Sequence, residues 1–122
     1  MKTCLVVDDS STIRKVIRRM LEDVEFQIEE AADGQQALDA CRRKMPDAIL
    51  LDWHMPVMDG LQFLKELRKT NGGNAPVVVF CTTENEINSI QEAIVAGANE
   101  YIMKPFNSEI IQAKLTQVGL LG

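Results

Sequence analysis

The chain has 122 residues, of which 46% are hydrophobic and 25% are charged, and its formal net charge is −5. These proportions are typical of one globular domain, and the acidic balance offers no basic surface for nucleic acid. No hydrophobic run approaches the roughly 18 residues that a membrane-spanning helix needs, and the N-terminal residues have the pattern of a strand rather than a secretory signal. We therefore expect a cytoplasmic, monomeric protein that binds neither nucleic acid nor membranes.

Continuous hydrophobic runs predict buried strands, and hydrophobic residues at helical spacing predict helices between them. In chain order the predicted elements are a strand at residues 4–7, a helix capped by Ser10 or Ser11, a weaker strand at 27–31, a helix after Gly34, a strand at 48–51, a helix after Gly60, a strand at 77–80, a helix that ends at Gly97, a weaker strand at 100–103 and a helix after Pro105. This alternation predicts an α/β domain over residues 1–122, with a parallel sheet and helices on both faces. No separate output domain is expected.

Three cysteines, Cys4, Cys41 and Cys81, are widely separated and form no C-x-x-C pair. Such a set favours buried thiols that pack as small hydrophobic groups, rather than disulfides or metal ligands.

Polar residues with reactive side chains follow the predicted strands: Asp8-Asp9 after the first, Asp52 after the third, Thr82-Thr83 after the fourth and Lys104 after the fifth. In open parallel sheets, sites form beyond the carboxyl ends of the strands. If the strand order is 2-1-3-4-5, the three carboxylates crowd together and repel each other, so protons or a cation must relieve the repulsion. Oxygen ligands with positions left for water favour Mg²⁺.

An amine and a hydroxyl beside these acids suit the binding of a phosphoryl group. Lys104 supplies a fixed positive charge and Thr82 a hydrogen-bond donor, while a carboxylate attacks phosphorus in line. Taken singly, each residue has an ordinary structural explanation as a cap, a strand end or a solvated lysine. Their joint position at one edge of one sheet favours a site.

Four segments, "VVDDSSTIRKVI", "AILLDWHMPVMDGLQFLKELR", "VVVFCTTE" and "AGANEYIMKPF", together resemble the receiver domain of two-component response regulators. The resemblance covers essentially the whole chain, and it is strongest to the single-domain chemotaxis regulators of the CheY type. It implies a flavodoxin-like (βα)₅ fold with strand order 2-1-3-4-5. It also implies a signalling switch that is phosphorylated by a histidine kinase or a phosphotransfer domain and catalyses only its own phosphorylation and dephosphorylation.

The resemblance implies a role for each matching residue. In the phosphorylation site, Asp52 is the phosphoacceptor, Asp9, Asp52 and the backbone carbonyl of Trp53 are Mg²⁺ ligands, Asp8 reaches the metal through water, Thr82 is the switch hydroxyl, Lys104 bridges to the acyl phosphate, and Lys104–Pro105 is a cis peptide. On the face of the fourth helix, fifth strand and fifth helix, Tyr101 is the aromatic switch, and Ile90 and Lys114 join it at the partner surface. Ile90 facing the core and Lys114 merely solvated are the simpler alternatives.

His54 departs from the family pattern, because chemotaxis regulators often carry Asn two residues after the phosphoacceptor. The resemblance implies that this position, together with the one held by Glu84, lines the entry to the phosphoryl group and tunes the phosphoryl lifetime. His54 could orient water, obstruct it, bond the phosphoryl group, or have no role. In the same loop, Gly60 is expected to supply backbone freedom.

Three rival functions fit less well. A phosphatase of the haloacid dehalogenase type needs an acid two residues after Asp52, where His54 stands. A flavodoxin binds an anionic phosphate after its first strand, where Asp8 and Asp9 would repel it. A degenerate receiver would lack the acids, the threonine or the lysine. Within the receiver interpretation, control of the flagellar motor through a flagellar switch protein is preferred, and a phosphorelay receiver or phosphate sink is the alternative.

Overall fold

The computed structural model describes residues 1–121. Within this range, strands and helices alternate: β1 (Lys2–Val7), α1 (Ser11–Met20), β2 (Phe26–Ala31), α2 (Gly34–Arg43), β3 (Ala48–Asp52), α3 (Gly60–Lys69), β4 (Val77–Thr82), a 3₁₀ turn (Ile87–Ser89), α4 (Ile90–Ala96), β5 (Glu100–Met103) and α5 (Ser108–Gln117). No helix in residues 1–121 is long and hydrophobic enough to cross a bilayer.

All five strands are parallel and form one sheet in the order β2-β1-β3-β4-β5. The predicted α/β fold class and strand order are therefore confirmed. The central position of β3 explains its uninterrupted hydrophobic run, because both faces of this strand are covered. The edge strand β2 has mostly exposed residues, so its sequence pattern is weaker.

Two hydrophobic cores lie on opposite faces of the sheet. Alternate side chains of β3 point to opposite faces, so Ile49 and Leu51 join the core under α2 and α3, and Leu50 joins the core under α1 and α5. The three cysteines are free and buried within these cores, as the sequence predicted. Burial raises the pKa of Cys4 and Cys81 to about 12 and that of Cys41 to about 11, so all three are thiols at neutral pH.

Four of the five α-helices begin at a side chain that caps the first turn. Ser10, Asp33, Asp59 and Asn107 each accept the backbone N–H three residues on, which satisfies a donor that the helix leaves open. The exception is α4, which has seven residues, follows a 3₁₀ turn and has no side-chain cap.

Candidate active site

The carboxyl ends of the central strands bring five predicted residues together, and we call this group the strand-end cluster: Asp8, Asp9, Asp52, Thr82 and Lys104. Asp52 ends β3 and Thr82 ends β4, while Asp8 and Lys104 come directly after β1 and β5. Rigid neighbouring strands thus fix the backbone under each group. Asp8, Asp52 and Thr82 are 4%, 9% and 0% exposed, whereas Asp9 lies at the solvent side.

The three acids of the strand-end cluster are close enough to share a cation. One carboxylate oxygen from each of Asp8, Asp9 and Asp52 lies within 4.8 Å of the others. A donor set made of carboxylate oxygens fits a hard ion such as Mg²⁺. The carboxylate of Asp8 is held in one orientation, because its Oδ1 accepts the Ser10 backbone N–H at 2.9 Å.

Lys104 is the cation of the cluster. Its Nζ donates to Asp52 Oδ1 at 2.7 Å and lies 3.6 Å from Asp8 Oδ2. Burial raises the pKa of Asp52, and repulsion from Asp8 adds to this, while the hydrogen bond from Lys104 opposes it only in part. Burial would lower the pKa of Lys104, but the bond and charge of Asp52 raise it overall. The amine stays charged, and one amine does not neutralise the acids around it.

Thr82 is turned away from the carboxylates. Its hydroxyl donates to the backbone carbonyl of Thr83 at 3.3 Å. A rotation of this side chain would be needed before the hydroxyl could reach a group carried on Asp52.

The carbonyl of Trp53, expected as a metal ligand, points into the following loop. It accepts the backbone N–H of Gly60 at 2.8 Å. This bond uses one of the two lone pairs of the oxygen, and the expected ligand role of the Trp53 carbonyl stays a prediction. The Trp53 ring is buried and packs against Phe80, with ring centroids 4.8 Å apart.

Gly60 is required for space rather than for backbone freedom. Its φ is not positive, but a Cβ at this position would collide with the backbone carbonyl oxygen of Asp52. The positive φ of this loop belongs to Val57, at 69°, and the Lys104–Pro105 peptide is cis as the resemblance implied.

His54 and Glu84 do not meet in the structure. His54 is 76% exposed, and its Nε2 lies 2.9 Å from Oε2 of Glu86, a residue that the sequence analysis missed. Glu84 is exposed. The segment Thr83-Glu84-Asn85-Glu86 has the capping-box pattern T-x-x-E, which was the available signal for Glu86.

The three predicted partner residues lie on α4, β5 and α5, and we call this surface the output face. Ile90 and Tyr101 are half-buried and pack against the core under α2 and α3. Lys114 Nζ lies 3.6 Å from a carboxylate oxygen of Glu100. Ile90 is therefore partly a core residue, and Lys114 already has an acidic neighbour within the chain.

The chain is similar in sequence and in structure to known receiver domains. Residues 4–116 match the response regulator receiver domain. Chemotaxis protein CheY-3 of Vibrio cholerae is 36% identical over 115 residues, which cover 93% of this chain and 88% of CheY-3. The structure of the chemotaxis response regulator CheY4 of V. cholerae matches with a TM-score of 0.90 and 36% identity, over 97% of this chain and 98% of CheY4.

A further similar structure holds a metal. The receiver domain of sensor histidine kinase PA1611 from Pseudomonas aeruginosa matches with a TM-score of 0.86 and 30% identity, over 95% of each chain. That domain has a magnesium ion coordinated in its active site cleft.

Proposed function

Since this chain belongs to the response regulator receiver domain family of two-component signalling, we propose that it is a phosphorylation-activated switch whose phosphoryl group is carried on Asp52. The observation that carries the proposal is the strand-end cluster, in which Asp52 meets an amine and two further acids. No single member specifies phosphoryl transfer. The combination matches what positioning and charge neutralisation of a phosphoryl group require.

The transfer step uses Asp52 as the nucleophile. A carboxylate oxygen of Asp52 forms a bond to phosphorus, the bond from phosphorus to the donor's imidazole nitrogen breaks, and its electron pair leaves with the imidazole. Lys104 holds Asp52 Oδ1 at 2.7 Å, so it orients the carboxylate and can then bind a phosphoryl oxygen. Its positive charge stabilises the charge that the transfer brings into the cleft.

Mg²⁺ is the proposed cofactor, held by Asp9 and Asp52 directly and by Asp8 through water. The fit rests on the three clustered carboxylates and on the magnesium ion in the similar PA1611 receiver domain. When bound, the ion would neutralise carboxylate and phosphoryl oxygens together. The raised pKa of Asp52 gives the same expectation, because burial, with repulsion from Asp8 added, disfavours the ionised form that a bound cation would stabilise.

The switch step is a shift between two arrangements of Thr82. Its hydroxyl leaves the Thr83 carbonyl and donates to the phosphoryl group, whose oxygens are strong acceptors. Tyr101 then moves inward, and the output face changes its affinity for a partner. Phosphorylation acts by stabilising an arrangement that is otherwise a minor one.

The donor is proposed to dock in a groove between α1 and the segment after β5. Hydrophobic side chains dominate this groove of about 240 Å³, which is lined by Ile13, Val16, Ile17, Met20, Lys104, Pro105 and Phe106. Ile13 and Val16 are each 40% exposed, which is unusual for residues on the hydrophobic stripe of a helix. Since Lys104 lines both the groove and the strand-end cluster, a helix of a kinase or phosphotransfer domain seated there would lie beside Asp52.

Flagellar motor control is the output we prefer, because CheY-3 and CheY4 of V. cholerae are similar over nearly the whole chain. The second candidate is a phosphorelay receiver or phosphate sink. Its support is the similarity to a receiver domain that belongs to a sensor histidine kinase.

Labelling with a small-molecule phosphodonor tests the chemistry. With Mg²⁺ the protein should gain one acid-labile phosphoryl group, and Asp52→Asn or EDTA should abolish the gain. Asp39→Asn, which changes an exposed acid of α2, is the matched control and should label normally. Labelling that persists in Asp52→Asn would reject the assignment.

Binding of the beryllofluoride-activated protein tests the output. A flagellar switch peptide captured only by the activated form supports motor control. Capture of a phosphotransfer domain without the switch peptide supports the phosphorelay alternative.

A further inference from the structure

A chain of polar contacts connects exposed His54 to the proposed switch residue. His54 Nε2 lies 2.9 Å from Oε2 of Glu86, and Glu86 Oε1 accepts the Thr83 backbone N–H at 2.9 Å. The Glu86 backbone N–H donates to the Thr83 carbonyl at 3.0 Å. The same carbonyl accepts the Thr82 hydroxyl at 3.3 Å.

Glu86 contacts both His54 and the turn after β4. Its side chain is only 14% exposed although it lies in a surface turn, and each of its carboxylate oxygens has a separate partner. Two hydrogen bonds join Glu86 to Thr83, one from the Thr83 N–H to the Glu86 side chain and one from the Glu86 N–H to the Thr83 carbonyl, and together they hold the turn after β4. The Glu86 carbonyl also accepts the Ser89 N–H at 2.9 Å, so the same turn leads into α4 of the output face.

We propose that His54 is a positioning residue that acts through Glu86 to hold the turn after β4, and with it Thr82, in the unphosphorylated arrangement. The inference rests on the proposed function, and it gives His54 a role different from action on water. The imidazole is turned to Glu86 across the mouth of the site, linking the loop after β3 to the turn after β4.

The contact opposes activation because it stabilises only one of the two arrangements. For Thr82 to reach a phosphoryl group, its hydroxyl must leave the Thr83 carbonyl that the Glu86 turn holds in place. A contact formed in one state and lost in the other shifts the balance between them by its own free energy. For an exposed pair, we expect a shift of about two- to fivefold.

The first experiment uses the unphosphorylated protein. His54→Ala should speed hydrogen exchange at the Thr83 amide about two- to fivefold. His54→Gln, whose amide N–H can still donate to Glu86, should restore much of the protection. Asn85→Ala, an exposed change in the same turn, is the matched control and should leave exchange unchanged. Unchanged exchange in His54→Ala would overturn the proposal.

The second experiment measures beryllofluoride affinity at saturating Mg²⁺ in His54→Ala, Glu86→Ala and the double variant. Each single variant should bind beryllofluoride about two- to fivefold more tightly. The affinity gain of the double variant should be smaller than the product of the two single gains, because each single variant already removes the same His54–Glu86 contact. Mg²⁺ affinity alone should not change. Independent effects, or a parallel change in Mg²⁺ affinity, would overturn the proposal.

The two proposals fail in distinguishable ways. If the wild-type protein binds no beryllofluoride and takes no phosphoryl group, the proposed function is rejected. Exchange at the Thr83 amide still decides whether His54 and Glu86 hold the turn.

Discussion

The strand-end cluster and the output face differ in how tightly the fold constrains them. Asp8, Asp52 and Thr82 are at most 9% exposed, and rigid parallel strands hold them. On the output face Ile94, Val95 and Ile110 are 43%, 81% and 46% exposed. The helix α4 adds to this contrast, because no side chain caps its first turn.

The contrast teaches how one small domain can combine chemistry with response. Phosphoryl transfer requires groups that are already in place, because misplacement costs rate. A change of partner affinity requires a region whose alternative arrangement is only slightly less stable. Under the proposed function, the sheet is the source of the first property, and the short α4 with its 3₁₀ turn is the source of the second. Substitutions in the two regions should therefore differ in size and even in sign.

The largest expected effect follows from adding one methyl group beside Asp52. Gly60→Ala should destabilise the protein by about 3 kcal/mol or more, because the new Cβ collides with the Asp52 carbonyl oxygen. Gly119→Ala is the control. Its Cβ meets no atom within 4 Å, and only its φ of +84° costs about 1 kcal/mol. Chemical denaturation measures both changes, and equal losses would show that the cluster is not tightly constrained.

The next effect compares two lysines, one from each region. Lys104→Met should destabilise the metal-free protein by about 2 kcal/mol, because it leaves the half-buried carboxylates without their cation. Lys114→Met removes a contact of 3.6 Å on the output face and should change stability by less than about 0.5 kcal/mol. Denaturation in EDTA distinguishes the two. A similar loss in both variants would contradict the contrast.

The constrained region is also the part that the sequence predicted best. Asp8, Asp52, Thr82 and Lys104 each lie at or next to the end of a strand, so strand order alone decides which of them are neighbours. Continuous hydrophobic runs located the central strands because burial on both faces leaves no polar position. Strand order in turn was available from the family resemblance.

Loop details could not be predicted in the same way. The contact between His54 and Glu86 was not predicted, because a side-chain contact between two loops depends on their conformations and not on a repeating pattern. Gly60 was expected for its flexibility, whereas the structure requires it for space beside Asp52. Periodicity says nothing of such close approaches between distant segments.

A substitution to glycine should have a smaller effect on stability, and the effect should have opposite signs at a strained position beside the strand-end cluster and at a helical position of the output face. Val57 is 80% exposed with a φ of 69°, and the Met58 N–H donates to the Pro56 carbonyl around it at 2.7 Å. Val57→Gly should stabilise the protein by about 1 kcal/mol, because a β-branched residue is strained at positive φ. Val95→Gly, at an equally exposed site of α4, should destabilise by about 0.5 kcal/mol. Denaturation that shows the same sign for both would contradict this.

The smallest expected effect is a change in how stability depends on pH. The folded-state pKa of Asp52 is raised from 3.8, chiefly by burial, so its contribution to stability falls as pH rises from the unfolded value through the folded one. The pKa of Glu30 is lowered from 4.5, chiefly by the hydrogen bond from Arg18. Its contribution is present above the unfolded pKa and is lost as pH falls through the folded pKa.

Denaturation in EDTA between about pH 3 and pH 7 tests these opposite slopes. Relative to wild type, Asp52→Asn should gain stability as pH rises, and Glu30→Gln should lose it. Mg²⁺ should reverse the trend at Asp52, because the ion binds the ionised carboxylates and stabilises the folded state more as protons leave. A slope at Asp52 that Mg²⁺ leaves unchanged would mean that the acids are clustered for a purpose other than holding a cation.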